Sequence, residues 1–150
     1  MSAEIFYLTL TSSDLTNSLS GTPLGNAVFD NSFQYPLLFQ DGNYEVALFS
    51  ATVHPSTQYN PEVTGSIFCY SNFVSSEVVL GSSRVNLLRR FLVDGAGRSE
   101  VNFDPLQFVP LAGSSFSVGR VELRDATGAP ISMLPDRGTT VTFAVRRKIF

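Results

Sequence analysis

Tryptophan is absent, cysteine and histidine occur once each, and charged residues make up only 15% of this 150-residue chain. Each shortage removes a class of function. With Cys69 alone, no internal disulfide forms, and a buried free thiol is the expected state. One His and one Cys cannot supply the N and S ligands of a closed zinc site. A nucleophilic triad needs a positioned base; the single histidine, His54, precedes Pro55 in a loop-like stretch, and no Gly-x-Ser-x-Gly elbow is present. The glycine-serine runs at 81–84 and 112–115 lack the lysine and the following helix of a phosphate cradle. No apolar run reaches the roughly 18 residues needed to span a bilayer, and the first residues show no signal-peptide pattern. The expectation is a non-enzyme without metal or cofactor, folded in a reducing cytoplasm or nucleus. Calcium held by Asp94, Glu100 and Asp104 stays open, although their spacing matches no loop motif and Asp94-Gly95 is explained by turn chemistry.

Charged residues usually form about a quarter of a soluble domain. Their scarcity here suits either a surface covered by other subunits or β-sheet faces rich in Ser and Thr. Net charge is −3, which argues against a general nucleic-acid binder. The charges are also unevenly placed. All ten basic residues lie from Arg84 to Lys148 and nine are arginine, whereas residues 1–83 carry seven acids and no base. Arginine is enriched at protein interfaces because its planar fork binds carboxylates bidentately. Two basic clusters stand out, Arg89-Arg90 and Arg146-Arg147-Lys148. Consecutive strand residues point to opposite faces, so one arginine of each pair turns inward or across a sheet edge. For Arg89 a buried ion pair to an early acid such as Glu45 is expected; for Arg146, Arg147 and Lys148, a partner contact.

What the chain does have is strand periodicity throughout. Val121 and Leu123 alternate with Arg120, Glu122 and Arg124; Val141, Phe143 and Val145 alternate with Thr140, Thr142 and Arg146. A period of two marks a strand with one face on a core. These last two segments read as an antiparallel hairpin. Further strands are expected at 5–10, 33–39, 43–53, 66–74, 84–93 and 106–109, about eight in all. Pro36 pushes the strand at 33–39 towards an edge or a bulge. Residues 11–26 read as a long polar loop, and Asp41-Gly42 as a turn. Residues 1–150 therefore form one all-β domain, an eight-stranded antiparallel β-sandwich of the single jelly-roll type, with an immunoglobulin-like sandwich as the alternative. The expected core includes Phe6, Leu8, Leu10, Val46, Leu48, Val121, Leu123, Val141, Phe143 and Val145.

The order of five blocks resembles a known family. These are IFYLTLTSS (5–13), GNYEVALFSATVHPS (42–56), SIFCYSNFV (66–74) with RVNLLRR (84–90), FDPLQFVPL (103–111), and VELRDATGAPIS (121–132) with TTVTFAVRR (139–147). Together they resemble the small single-jelly-roll minor capsid, or penton-like, proteins of Polinton/Maverick elements and adintovirus-like double-stranded DNA viruses. Tyr44 stands where that pattern would have Trp. The resemblance implies a structural protein of the virion, made in the host cytoplasm or nucleus. It would assemble with itself as a homopentamer, or a trimer, at the vertices of an icosahedral capsid beside the major capsid protein. It implies no membrane span and leaves contact with packaged DNA open. Arg89, Arg90, Arg146, Arg147 and Lys148 are the candidate subunit-interface residues. A spike or cement protein of the same particle is an alternative. From another class, a cytosolic carbohydrate- or peptide-binding sandwich would stack sugars on loop aromatics such as Tyr59 and Phe33.

Overall fold

Among the described residues apolar alternation becomes eleven strands: β1 (Ile5–Thr11), β2 (Val28–Leu38), β3 (Tyr44–Val53), β4 (Ile67–Ser71), β5 (Val78–Leu80), β6 (Ser83–Val85), β7 (Leu87–Phe91), β8 (Ser99–Asn102), β9 (Val109–Pro110), β10 (Ser115–Arg124) and β11 (Thr140–Arg147). The computed structural model describes residues 4–20, 22–39, 43–60, 62, 65–75, 78–80 and 83–148, with the backbone alone at 23, 78–80, 83 and 84. The expected Asp41-Gly42 turn and the terminal Ile149 and Phe150 lie outside the described residues.

The pairings nest like brackets. Strand β4 pairs with β7, β3 with β8, β2 with β10 and β1 with β11, all antiparallel. Rolling such a ribbon produces two facing sheets, one ordered β1-β11-β3-β8 with β9 also on β3, the other β2-β10-β4-β7. That is a jelly roll, the architecture expected. Strands β5 and β6 form a separate two-stranded hairpin between β4 and β7.

Between the sheets the alternation buries what it should. Leu10, Val46, Leu48, Val121, Leu123, Val141 and Phe143 are fully buried, and Val145 nearly so. Phe73 is the hub, edge-on to Phe116 at 4.9 Å and to Phe143 at 5.4 Å between ring centroids. Edge-to-face pairs add roughly 0.5–1.5 kcal/mol beyond their area. Gly119 in β10 makes room for this hub, because a Cβ there would sit 2.8 Å from the Leu10 Cδ1 and 2.9 Å from the Phe73 Cζ.

Four expectations need correction. Phe6 is 52% exposed and Leu8 only half-buried, because this end of β1 overhangs the open mouth of the sandwich. The segments β10 and β11 do not form a hairpin; they lie in opposite sheets. The strand expected at 106–109 shrinks to Val109–Pro110, and the partner of β3 along that side is chiefly β8. Strand β2 starts at Val28, well before Phe33. Its edge position and the register shift around Pro36 agree with the reading of that proline.

Candidate assembly surface

The arginines are mostly occupied within the chain. Arg146 lies opposite Glu45 in the β11–β3 ladder, and its Nε donates to the Glu45 Oε1 at 2.6 Å. Its guanidinium also sits 3.7 Å over the Phe108 ring. Glu45 therefore belongs to Arg146 and not to Arg89, since β3 and β7 lie in different sheets. Arg89 instead reaches from β7 across the gap between sheets. Its guanidinium stacks 4.7 Å from the Phe103 centroid and its Nη1 donates to the Pro105 carbonyl at 2.9 Å. Arg90 and Arg147, the other members of the two pairs, are exposed. Lys148 is exposed too, its backbone N–H donating to the Asn43 carbonyl at 2.7 Å.

On the outer face of the second sheet a chain of charges runs across β2 and β10. Arg120 lies 3.8 Å from Asp30 and 3.7 Å from Glu122, and Arg124 binds the same Glu122 at 2.6 Å. Arg98 pairs with Glu100. The basic residues of the second half and the acids of the base-free first half are thus brought together by the roll, as in Arg146–Glu45 and Arg120–Asp30, and the sequence asymmetry does not survive in space.

Other candidate groups separate in the same way. Asp94, Glu100 and Asp104 do not converge, and among the described residues no three His, Cys, Asp or Glu side chains gather. The His54 Nδ1 lies 3.0 Å from the Gly138 carbonyl oxygen, tying two loops together. Cys69 is fully buried in β4, and burial pushes its thiol pKa up to about 12. Tyr59 and Phe33, the aromatics expected to meet sugars, are committed inward: Tyr59 is 4% exposed with its hydroxyl donating to the Gly65 carbonyl, and Phe33 stacks on Phe73.

One stretch of the surface is apolar and uncharged. Along the flank where β1 lies above β2, Phe6 is 52%, Tyr7 57%, Tyr35 75% and Leu38 59% exposed. Strand β1 holds no charged residue and β2 only Asp30. Between the two strands opens a groove of about 260 Å³ lined by Phe6, Leu8, Leu37, Leu38, Tyr44 and Val145 among others. A second groove of about 450 Å³, with Glu45, Phe108, Pro110 and Lys148 on its walls, shares Phe39 and Tyr44 with the first. Residues this apolar and this exposed mark an interaction surface. The arginine clusters drew attention from it; the available signal was the uncharged run of β1 beside a strand marked as an edge by Pro36.

The class of protein is thereby set: a single jelly roll, an architecture found in viral capsid and lectin domains, with an apolar groove along its β1–β2 flank. Among solved structures, the penton protein of mavirus superposes with a TM-score of 0.67, covering 97% of this chain and 100% of its own at 8% identity. At that identity the likeness is one of fold, across the whole domain. No family model and no curated protein sequence matches the chain.

Proposed function

We propose that this chain is a structural subunit of a virus-like particle, a penton-like minor capsid protein that forms a ring at the capsid vertices. The observation that carries the reading is the end-to-end match of one jelly roll to a penton protein, with almost nothing left over in either chain. The low charge content supports it, since a ring member has two flanks to cover. A standard interface buries about 800 Å² on each partner, and contacts between unlike faces close into cyclic symmetry. In this reading five copies, or failing that three, form the ring. Arg90, Arg147 and Lys148 reach neighbouring subunits or the major capsid protein, while Arg89 and Arg146 hold the edges from which they project. The protein then resides in the virion and performs no catalysis.

The inward commitment of Tyr59 and Phe33 speaks against the sugar-binding alternative. Native mass spectrometry and light scattering of the purified chain across the micromolar range test the proposal. A closed ring, weakened when Arg90, Arg147 and Lys148 are replaced by Ser, is the expected result. A monomer throughout, with no binding to a companion capsid protein, overturns it.

A further inference from the structure

The four edge strands of the two sheets are not equally protected. Exposed edges invite pairing, and folded proteins blunt them with charges, prolines, bulges or short length. Strand β2 has Pro36 and a register shift. Strand β7 has Arg89, Arg90 and a shift opposite Cys69 and Tyr70. Strand β8 is four residues long and carries Glu100. Strand β1 has none of these devices over its seven residues.

The hydrogen bonding of β1 tells which groups face outward. At its far end the Thr11 N–H donates to the Asn31 Oδ1 and the Thr11 carbonyl accepts from the Asn31 Nδ2, so Thr11 points away from β11. In an antiparallel ladder, alternate residues share that direction. The N–H and C=O of Tyr7 and Thr9 therefore point outward too, and they have no partner among the described residues. Beside them lies the apolar groove between β1 and β2.

We infer that the outer edge of β1 receives an extended, uncharged segment of another protein chain as an added strand. Main-chain bonds to Tyr7 and Thr9 would hold it, and alternate apolar side chains would enter the groove beside Phe6 and Leu38. This is strand addition at a sheet edge, where backbone bonds give affinity and side-chain pockets give selectivity. Charge argues for the occupant: neither β1 nor its groove-side neighbours Leu37, Leu38 and Phe39 offers a charge to pair with. Shape argues against a second copy. A copy's β1 brings Phe6 and Leu8, which already line its own groove, whereas a lone strand has side chains free to enter. The opposite flank of a copy would bring Arg89, Arg90 and Glu100 against an apolar surface, and burying unpaired charge is costly. The inference does not depend on the vertex reading.

The test uses the full chain and a fluorescein-labelled peptide copying residues 139–145, which pairs with β1 from its inner side in the fold and finds that side occupied. Saturable micromolar binding is expected, with hydrogen exchange slowed at the Tyr7 and Thr9 amides. Thr9→Pro removes an outward donor and none of the backbone donors that face β11, giving up only the Thr9–Thr142 hydroxyl contact on that side, and Tyr7→Lys adds a charge beside it; each should weaken binding at least about tenfold. Unchanged binding by both variants overturns the inference, as does absence of saturable binding to the parent chain. Protection at Tyr7 and Thr9 that rises with protein concentration alone also overturns it, assigning the edge to a second copy. Rings that form without peptide binding would sink this inference alone; peptide binding without rings would sink the vertex reading alone.

Discussion

Along the β7–β8 flank, Arg89 bridges the two sheets by lying on Phe103, Phe91 packs edge-on against the same ring at 5.3 Å, and Glu100 holds Arg98. Along the β1–β2 flank, Phe6, Tyr7 and Leu38 are more than half exposed and a groove stays open. Both flanks close the same core with strands of similar amphipathic character. The difference is that one is finished by contacts within the chain, its remaining groove of about 340 Å³ being lined by Asp94, Arg98, Ser99 and Glu100 beside an exposed Leu92, whereas the other is left apolar. A finished flank associates only through polar groups that still project from it, such as Arg90; an unfinished apolar one gains from every contact that excludes water.

The largest effect tests what the flanks have in common. Phe143 is fully buried in the core that both share, and Phe143→Ala should cost roughly 3–5 kcal/mol in urea denaturation. A small loss would mean that the core is not shared and that the flanks fold separately. Gly119→Ala comes next. The added methyl meets Leu10 and Phe73 and should cost roughly 1–3 kcal/mol, as overpacking does.

On the finished flank, Arg89→Ala removes both the stacking on Phe103 and the bond to Pro105, and should cost about 1–2 kcal/mol while leaving association unchanged. On the unfinished flank, Leu38→Ser should alter stability by no more than about 0.5 kcal/mol, as exposed substitutions do, yet weaken association with the strand peptide. If these two variants exchange phenotypes, the comparison is wrong.

The smallest effect lies outside both flanks, in the turn after β10. The Asp125 carboxylate accepts from the Thr127 hydroxyl at 2.6 Å, and this bond, helped by backbone N–H donors, holds its pKa below the ordinary value. A carboxyl depressed in the folded state contributes stability above its unfolded value, near pH 4, and loses it as pH falls through the folded value. Asp125→Asn should therefore lower stability slightly at neutral pH, leave it nearly unchanged once the pH is below the folded pKa, and so flatten the acid limb of the stability curve, measured by thermal melts.

Much of the fold is legible in the residues because alternation is a local property. Leu10, Val46, Leu48, Val121 and Phe143 follow from period two alone. Pro36 announces an edge because it cannot donate to a ladder. Strand β8 escapes notice because Ser99, Glu100, Val101 and Asn102 include one apolar residue, and the first half of β2 because Asp30, Asn31 and Ser32 resemble a loop. Asn31 is in fact a buried bracket between β1 and β2. Pairing is harder to read than strands, since it is global. Neighbouring strands suggest a hairpin, and only the nested topology sends β10 and β11 to opposite sheets. The arginines mislead for the same reason: whether Glu45 meets Arg89 or Arg146 depends on sheet membership, which no local pattern encodes.

The nesting has a consequence for synthesis. Strand β1 leaves the ribosome before the strands that follow it, yet its partner is β11, and the Thr9 and Thr142 hydroxyls that meet across that ladder are 133 positions apart. Until the last strand emerges, β1 waits with both edges bare. Long-range pairing of this kind makes all-β domains slow folders, in milliseconds to seconds, and leaves unpaired strands open to wrong partners meanwhile. The least protected strand of the finished molecule is thus also the longest unpaired one in the nascent chain, so a chaperone that shields it there would be displaced by β11.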